Sequence, residues 1–131
     1  MNVALIADDP KKILMENLCI AYRHILNKHT LFSTATTGRL VEEASGTTVH
    51  KYLAGHLGGV QQLCSQVAQN DVDLMIYLCD PVNPGVYAFE ADGPVRLCEM
   101  HNIPMATNLA TAEALLLALD NGDLNWRELI R

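Results

Sequence analysis

Apolar residues along the chain fall into two kinds of run: short unbroken stretches, and longer stretches with helical spacing. The short stretches predict strands, because continuous apolar runs of this length are typical of strands buried on both faces of a parallel sheet. Unbroken apolar runs cover residues 2–7 and 72–79, and the segments 29–34, 47–53 and 103–107, which are only partly apolar, are also expected to be short strands. The run 72–79 is the most strongly apolar and ends at Asp80-Pro81, so we expect it to lie centrally in the sheet.

Between these runs, apolar residues recur every three or four positions, which predicts helices. The first is expected from Lys11 to about Asn27, with Pro10 suited to its first turn. Further helices are expected to begin near Thr36, Val60, Val95 and Thr111, the last of them ending at Asn121-Gly122. The remaining tail, through Trp126, is expected to pack on the domain or to contact another subunit.

This alternation of strands and helices predicts an α/β fold. Alternating elements imply a parallel, doubly wound sheet, here five-stranded with helices on both faces, connected by right-handed crossovers. A length of 131 residues suits a single domain, 1–131. In such folds ligands bind beyond the carboxyl ends of the strands, so the residues that follow each strand become the candidates for function.

Charge and composition exclude several classes of function. The net charge of −6 opposes binding to a nucleic acid backbone. No apolar run reaches the roughly 18–20 residues that a membrane span needs, and no signal peptide is visible at the start, so we expect a cytoplasmic protein. Four scattered cysteines without a CxxC pair indicate reduced, mostly buried thiols rather than zinc or disulfides.

Four polar segments follow predicted strands and should converge on one cleft. They are residues 8–12, 34–38, 54–62 and 80–83. In the second, hydroxyls and free amides lie at a helix N-terminus, where the helix dipole favours an anion such as phosphate. Thr36 or Thr37 could instead simply cap this helix.

The other segments also allow two readings each. Lys12 lies in the first turn of a helix, where a cation opposes the dipole; a bound anion would account for it, and so would simple solvation. The glycines of residues 55–59 permit close approach to a ligand, or only a flexible turn. Asp80 could polarise a hydroxyl or cap a turn. His56 could donate to an oxyanion or act as an acid, or have no special role.

Taken in order, four motifs make the chain similar to the methylglyoxal synthase family. The likeness covers nearly the whole sequence, and four ordered motifs are far more specific than any single one. They are Thr34-Ala35-Thr36-Thr37-Gly38, Gly58-Gly59-Val60-Gln61-Gln62, Asp80-Pro81-Val82-Asn83 and Asn102-Ile103-Pro104-Met105-Ala106-Thr107-Asn108.

The resemblance implies a lyase of methylglyoxal biosynthesis. Such enzymes deprotonate dihydroxyacetone phosphate beside its carbonyl and release phosphate from the ene-diolate, with neither a metal nor an organic cofactor, and they form homohexamers. The family's phosphate contacts are matched here by Lys12, Thr34, Thr36, Thr37, Gly38 and Gly55. Ala54 stands where a serine is usual.

The catalytic positions of the family are matched less well. The aspartate that serves as base in the family's Gly-Gly-Asp-Gln-Gln run is replaced by Val60. Asp8 replaces a histidine, and a later histidine and aspartate align with Tyr87 and Glu90. The candidate catalytic residues are therefore the retained acids Asp9 and Asp80, with Asp8 and Glu90 as substitutes that could reach the ligand from another wall.

Three functional hypotheses follow. The first is a methylglyoxal synthase homologue that binds dihydroxyacetone phosphate or a similar small phosphorylated ligand, with elimination weak, altered or absent. The second is a non-catalytic sensor of a phospholigand or nucleotide, as in the related domains of carbamoyl phosphate synthetase. The third is an enzyme of altered chemistry that uses the four acidic residues.

Overall fold

Five parallel strands form one sheet in the computed structural model, which describes residues 1–131. The strands are β1 (Asn2–Ala7), β2 (Thr30–Ser33), β3 (Val49–Lys51), β4 (Leu74–Leu78) and β5 (Met105–Ala106). Their order across the sheet is β3-β2-β1-β4-β5, with Val3 beside Leu31 and Leu74. The predicted five-stranded parallel sheet is confirmed. The apolar run 72–79 supplies β4, an interior strand, whereas the middle position belongs to β1.

Six α-helices cover the two faces of the sheet. They are α1 (Lys12–Ala21), α2 (Arg23–Leu26), α3 (Ala35–Ser45), α4 (Gly59–Ala68), α5 (Pro94–Met100) and α6 (Leu109–Asp120). Helices α1, α3 and α6 pack on one face, and α4 packs with α5 on the other. Alternate residues of β1 serve the two cores: Val3 and Leu5 face the first group, while Ala4 and Ile6 face the second. The doubly wound arrangement is thereby confirmed.

The helix predicted from Lys11 to Asn27 is interrupted. A 3-10 turn at Asp9–Lys11 precedes α1, and Pro10 lies in this turn as expected. At Tyr22 the backbone leaves helical geometry, with φ −111° and ψ 21°, before the short α2 begins. Ile25 and Leu26 of α2 are both buried, so the break turns two adjacent apolar residues toward the core.

The edge strands are shorter than the apolar runs that predicted them. Strand β5 begins only at Met105, since Pro104 has no backbone N–H to give to the ladder and contributes its carbonyl to Met75 instead. Strand β3 begins at Val49, and before it the backbone amide of Thr47 donates to the Ser45 hydroxyl at 3.4 Å instead of joining the ladder with β2.

Burial agrees with the reading of the cysteines as buried thiols. Cys19, Cys64 and Cys98 are buried, Cys79 is half-buried, and all four thiols are free. Burial raises the pKa of Cys19 to about 12. None of the helices has the length and apolar content that crossing a membrane requires.

The strand order places a crevice between β1 and β4. From β1 the chain proceeds to β2 and β3 on one side of the sheet, whereas β4 and β5 lie on the other side. Such a reversal of strand order opens a crevice at the carboxyl ends of the two central strands, where ligands of doubly wound folds bind. Asp8 follows β1, and Asp80 follows β4 after one intervening residue, so both acids lie at this point.

Candidate functional site

A cavity of about 920 Å³ opens at the carboxyl ends of the strands. Its lining combines the four polar segments that follow the strands, so the expected convergence on one cleft is observed. The lining residues are Asp8, Asp9, Pro10, Lys12, Thr34, Thr36, Gly55, His56, Gly58, Gln61, Asp80, Asn83, Pro84, Gly85, Val86 and Tyr87.

Lys12 is the lysine of this lining, and its ammonium group is held in place by the protein. Nζ donates to the carbonyl of Ala7 at 3.0 Å and to the hydroxyl of Thr37 at 3.1 Å. The carboxylate of Asp9 lies 3.5 Å away but is 95 % exposed, so solvent weakens this pair. The Lys12 side chain is only 21 % exposed. The positive charge is therefore fixed between the end of β1 and the start of α3.

The start of α3 supplies the second part of the same wall. Thr34 is the N-cap residue, yet its hydroxyl makes no capping hydrogen bond to the helix. Thr36 lies in the first turn and also lines the cavity. The first amides of an α-helix have no acceptors within the helix, and the dipole adds positive potential there. Hydroxyls, amides and an ammonium group thus face one hollow.

Two residues expected to contact phosphate lie behind the wall instead. The hydroxyl of Thr37 is buried and pairs with Lys12, so it orients the ammonium group. Gly38 is also buried, and a Cβ there would lie 2.6 Å from the Lys51 side chain. The small residue at position 38 therefore lets α3 pack against β3. Of the six expected phosphate residues, Lys12, Thr34, Thr36 and Gly55 line the cavity.

The glycine-rich loop before α4 forms the opposite wall. Gly58 has φ 99°, a conformation that L side chains rarely adopt. At Gly59 a Cβ would lie 1.8 Å from the carbonyl oxygen of Leu53, so only glycine allows this close approach. The packing brings Gly55, His56 and Gln61 into the lining.

Val60 is buried directly behind this wall. It is 1 % exposed and does not line the cavity. Its nearest approach to the site is through Gly55, where a Cβ would lie 3.7 Å from Val60 Cγ2. The side chain at position 60 is thus one residue layer from the hollow, and it is an alkyl group that can neither accept nor donate a proton.

The acidic residues differ in what their oxygens already bind. Asp8 is 6 % exposed and accepts four hydrogen bonds, two of them from tyrosine hydroxyls and two from backbone amides. In Asp80, Oδ1 accepts from the amide of Val82 at 3.0 Å. Asp9 is exposed at the cavity rim beside Lys12. Glu90 is an exposed residue outside the lining, so it does not join the other acids.

Comparison with known proteins identifies the family. The family model described as MGS-like domain matches residues 16–107. Methylglyoxal synthase of Caldicellulosiruptor saccharolyticus is 54 % identical over 99 % of this chain and 92 % of its own length. This chain belongs to the methylglyoxal synthase family. Methylglyoxal synthase of Listeria welshimeri is 45 % identical over 100 % of this chain and 98 % of its own length.

A solved structure of a methylglyoxal synthase supports the same assignment. The crystal structure of the enzyme from Elizabethkingia anophelis superposes with a TM-score of 0.80 at 38 % identity. The match covers 88 % of this chain and 76 % of that one. The family resemblance inferred from the four motifs and the α/β fold are both confirmed.

Within this methylglyoxal synthase fold, the loop after β4 contributes residues that the sequence alone did not single out. Gly85 and Val86 line the cavity, and Tyr77 reaches Asp8 from inside β4 with an O–O distance of 2.9 Å. Tyr87 also lines the cavity, and burial together with the charge of Asp8 raises its pKa to about 12, so its hydroxyl stays a donor. The proline- and glycine-rich composition of residues 80–93 is the signal in the sequence by which this loop could have been found.

Proposed function

We propose that the cavity binds dihydroxyacetone phosphate or a similar small phosphorylated ligand. The observation that carries the proposal is the fixed ammonium group of Lys12 beside the start of α3. Its two hydrogen-bond partners, Ala7 and Thr37, are uncharged acceptors, and its charged neighbour Asp9 is 95 % exposed, so most of its charge stays available to a ligand. A phosphate would accept from Lys12, from the hydroxyls of Thr34 and Thr36, and from the amides of Thr36 and Thr37, because the amide of Ala35 already donates to the carbonyl of Leu53 at 3.2 Å.

The rest of the cavity suits the other end of such a ligand. Asp80, Gln61 and Tyr87 stand on the walls beyond the cradle and offer both acceptors and donors. A ligand hydroxyl can donate to a carboxylate or to a phenol oxygen, and a ligand carbonyl oxygen can accept from a side-chain amide. This mixture fits a short hydroxy-carbonyl chain, as in a triose phosphate, better than it fits an apolar group.

We infer further that elimination of phosphate is weak or absent in this chain. The reaction needs a positioned base beside the carbon acid, and position 60, which carries the family's base by resemblance, holds an alkyl side chain. Of the lining carboxylates, only Asp9 and Asp80 keep an oxygen free of hydrogen bonds from the protein. Loss of a general base typically lowers the rate by roughly 10²–10⁴-fold.

A coupled assay for phosphate release from dihydroxyacetone phosphate tests this inference. The wild-type chain is expected to release phosphate at least about 100-fold more slowly than the Val60→Asp variant. Val60→Asn is the matched control, because it has the same shape and polarity but cannot take up a proton. Rapid turnover by the wild-type chain would refute the inference, as would equal gains in the Asp and Asn variants.

Ligand binding is tested separately by thermal unfolding. A ligand that binds only the folded state raises the melting temperature by an amount that grows with the logarithm of one plus the ratio of its concentration to Kd. Glycerol 3-phosphate is a suitable probe, since it lacks the carbonyl that elimination requires. We expect a concentration-dependent rise with this probe and none with glycerol. Absence of a shift with phosphate-bearing probes would contradict the binding proposal itself.

A second candidate function is a non-catalytic sensor of a phospholigand or nucleotide. The observation that favours it is the size of the cavity, about 920 Å³, which lies near the top of the ~300–1,000 Å³ range of ligand pockets. Such a volume leaves room for more than a triose phosphate. A melting shift larger with nucleoside monophosphates than with glycerol 3-phosphate would support the sensor, and the reverse order would support the first function.

We also infer, from the family resemblance, a homohexamer located in the cytoplasm. Large apolar side chains on the surface support assembly, among them Ile13 at 71 % and Leu129 at 86 % exposure. Sedimentation velocity of the full chain measures the assembly directly. A monomer at micromolar concentration would contradict it.

A further inference from the structure

Asp8 lies at the centre of a hydrogen-bond network that joins β1 to the loop after β4. Its Oδ1 accepts from the hydroxyls of Tyr77 at 2.9 Å and Tyr87 at 3.4 Å. Its Oδ2 accepts from the amides of Asp80 at 2.8 Å and Gly85 at 3.2 Å. We call these five residues the Asp8 network.

All acceptor positions of the Asp8 carboxylate are occupied. A carboxylate offers about four lone-pair sites, and four donors occupy them here. Proton abstraction from a ligand would first require a break in this arrangement. Asp8, which the sequence offers as a substitute base, therefore has a structural role in this site.

The segment that Asp8 holds is one wall of the cavity. Six of its 16 lining residues lie between positions 80 and 87: Asp80, Asn83, Pro84, Gly85, Val86 and Tyr87. The amides of Asp80 and Gly85 are fixed near the two ends of this segment. Since the backbone of Asp8 also donates to Leu78 at 3.0 Å, the wall is tied to both central strands.

The packing inside the network is tight. A Cβ at Gly85 would lie 3.0 Å from Asp8 Oδ1 and 2.8 Å from Tyr87 Cζ. The Tyr87 ring also lies against Tyr77, with ring centroids 6.1 Å apart. The orientation of the Tyr87 hydroxyl is thus set by Asp8, by the absence of a side chain at Gly85 and by the Tyr77 ring.

We propose that Asp8 is a positioning residue that holds the loop 80–87 as the wall facing the non-phosphate end of the ligand, with the phenol oxygen of Tyr87 as an acceptor for a ligand hydroxyl. The inference rests on the proposed function, because it assumes that the phosphate end occupies the Lys12 side. It separates two parts of the site: a phosphate cradle that does not depend on Asp8, and a loop wall that does.

Calorimetric titration of the full chain with two probes tests the separation. Inorganic phosphate needs only the cradle, whereas glycerol 3-phosphate needs the cradle and the wall. In Asp8→Asn, one carboxylate oxygen becomes an NH₂ group that faces existing donors, so the wall opens. If the loop wall of Asp8→Asn is closed for about a tenth of the time, the Kd of glycerol 3-phosphate rises about tenfold in this variant. The Kd of phosphate should change less than about twofold.

Amide hydrogen exchange measures the opening of the loop directly, without a ligand. The amides of Asp80 and Gly85 should lose protection in Asp8→Asn, while amides within β1 keep theirs. Tyr77→Phe is the second variant: it removes one donor from the network but leaves both loop amides bound. Tyr77→Phe should raise the Kd of glycerol 3-phosphate by less than Asp8→Asn does. If Asp8→Asn fails to fold, this variant tests the positioning role.

The outcomes distinguish this inference from the proposed function. If the wild-type chain binds neither probe, the proposed function is wrong. If it binds both and the two variants keep the same ratio of Kd values, the positioning role of Asp8 is overturned while the phosphate site stands. An equal loss for both probes would also overturn it, since Asp8 would then act on the cradle.

Discussion

The two ends of the strands both carry charged residues at low exposure, but these charges have opposite roles. We call the side of the sheet at which the strands begin the amino edge, and the side at which they end the carboxyl edge. At the amino edge, Arg127 and Asp73 are 0 % exposed and pair with each other at 3.4 Å. Arg127 also donates to Asn70 and to the carbonyl of Val72, both at 2.8 Å. At the carboxyl edge, Lys12 faces an open cavity, and its two close partners carry no charge.

This difference separates a structural charge from a charge available to a ligand. Asp73 accepts from the amide of Asn2 and pairs with Arg131, so the tail that contains Arg127 is fastened to the start of β1 and β4. Nothing at that edge is left for a ligand. The tail arginines lie across the sheet from the cavity, so the proposed phosphate cradle depends on Lys12. Each prediction below concerns one side of the comparison.

The largest effect is expected from Arg127→Met, which removes the charge but keeps most of the volume. Asp73 would remain buried with only the partly exposed Arg131 as a charged partner, and breaking a buried pair typically costs about 3–5 kcal/mol of unfolding free energy. Urea denaturation measures the loss. Ligand affinity of the folded fraction should not change, because the cavity lies at the other edge.

Two further variants make this test specific. In Asp73→Asn with Arg127→Met, no buried charge is left alone, so part of the stability should return. Arg131→Ala serves as the mild control, since its side chain is 27 % exposed and such pairs contribute about 1 kcal/mol or less. A loss for Arg127→Met no larger than that of Arg131→Ala would contradict the structural role.

Gly59→Ala is expected to be the exception at the carboxyl edge, where a residue beside the cavity controls folding. The new Cβ would lie 1.8 Å from the Leu53 carbonyl oxygen, which is backbone and cannot rotate away. We expect a loss near 3 kcal/mol, the upper end of the usual ~1–3 kcal/mol range for overpacking. Gly46→Ala is the control: its φ of 73° causes strain, but no atom lies within 4 Å. A loss for Gly59→Ala no larger than that for Gly46→Ala, measured by urea denaturation, would show that the backbone at Leu53 moves aside to admit the new Cβ.

The same contrast explains what could be predicted from sequence. Runs of apolar residues gave β1 with its observed bounds, and the position of Lys12 in a first helical turn marked the cradle. Both are local patterns. Asp8 and Tyr87 are 79 positions apart, and Arg127 and Asp73 are 54 apart. Such pairs are created by strand order, so the spacing of neighbours along the chain contains no sign of them.

Lys12→Met tests the functional edge by itself. Loss of a charged donor to phosphate should raise the Kd of inorganic phosphate about 10–100-fold, which is equivalent to ~1.4–2.8 kcal/mol of binding free energy. Unfolding free energy should change little, since the charged neighbour of the ammonium group, Asp9 at 3.5 Å, is 95 % exposed and such pairs contribute little. Lys11→Met is the control, because the neighbouring lysine does not line the cavity. Similar weakening by both variants, measured by calorimetry, would mean that general charge and not the cradle attracts phosphate.

The smallest predicted effect returns to the amino edge, where the N-terminal ammonium group lies 3.1 Å from Nδ1 of His29. Burial first, and then the ammonium charge, hold the pKa of His29 below its usual 6.5. The fold thus favours the neutral ring, so this stabilisation is complete above pH 6.5 and is lost as the pH falls below it.

Compared with His29→Gln, the wild-type chain should lose more unfolding free energy between pH 7.5 and 5.5. The difference should stay well under the ~1.4 kcal/mol of a tenfold change in proton affinity, since the ring is half-exposed. Urea denaturation at both pH values measures it, and parallel losses in the two proteins would show that His29 takes up its proton equally well in the folded and unfolded chain.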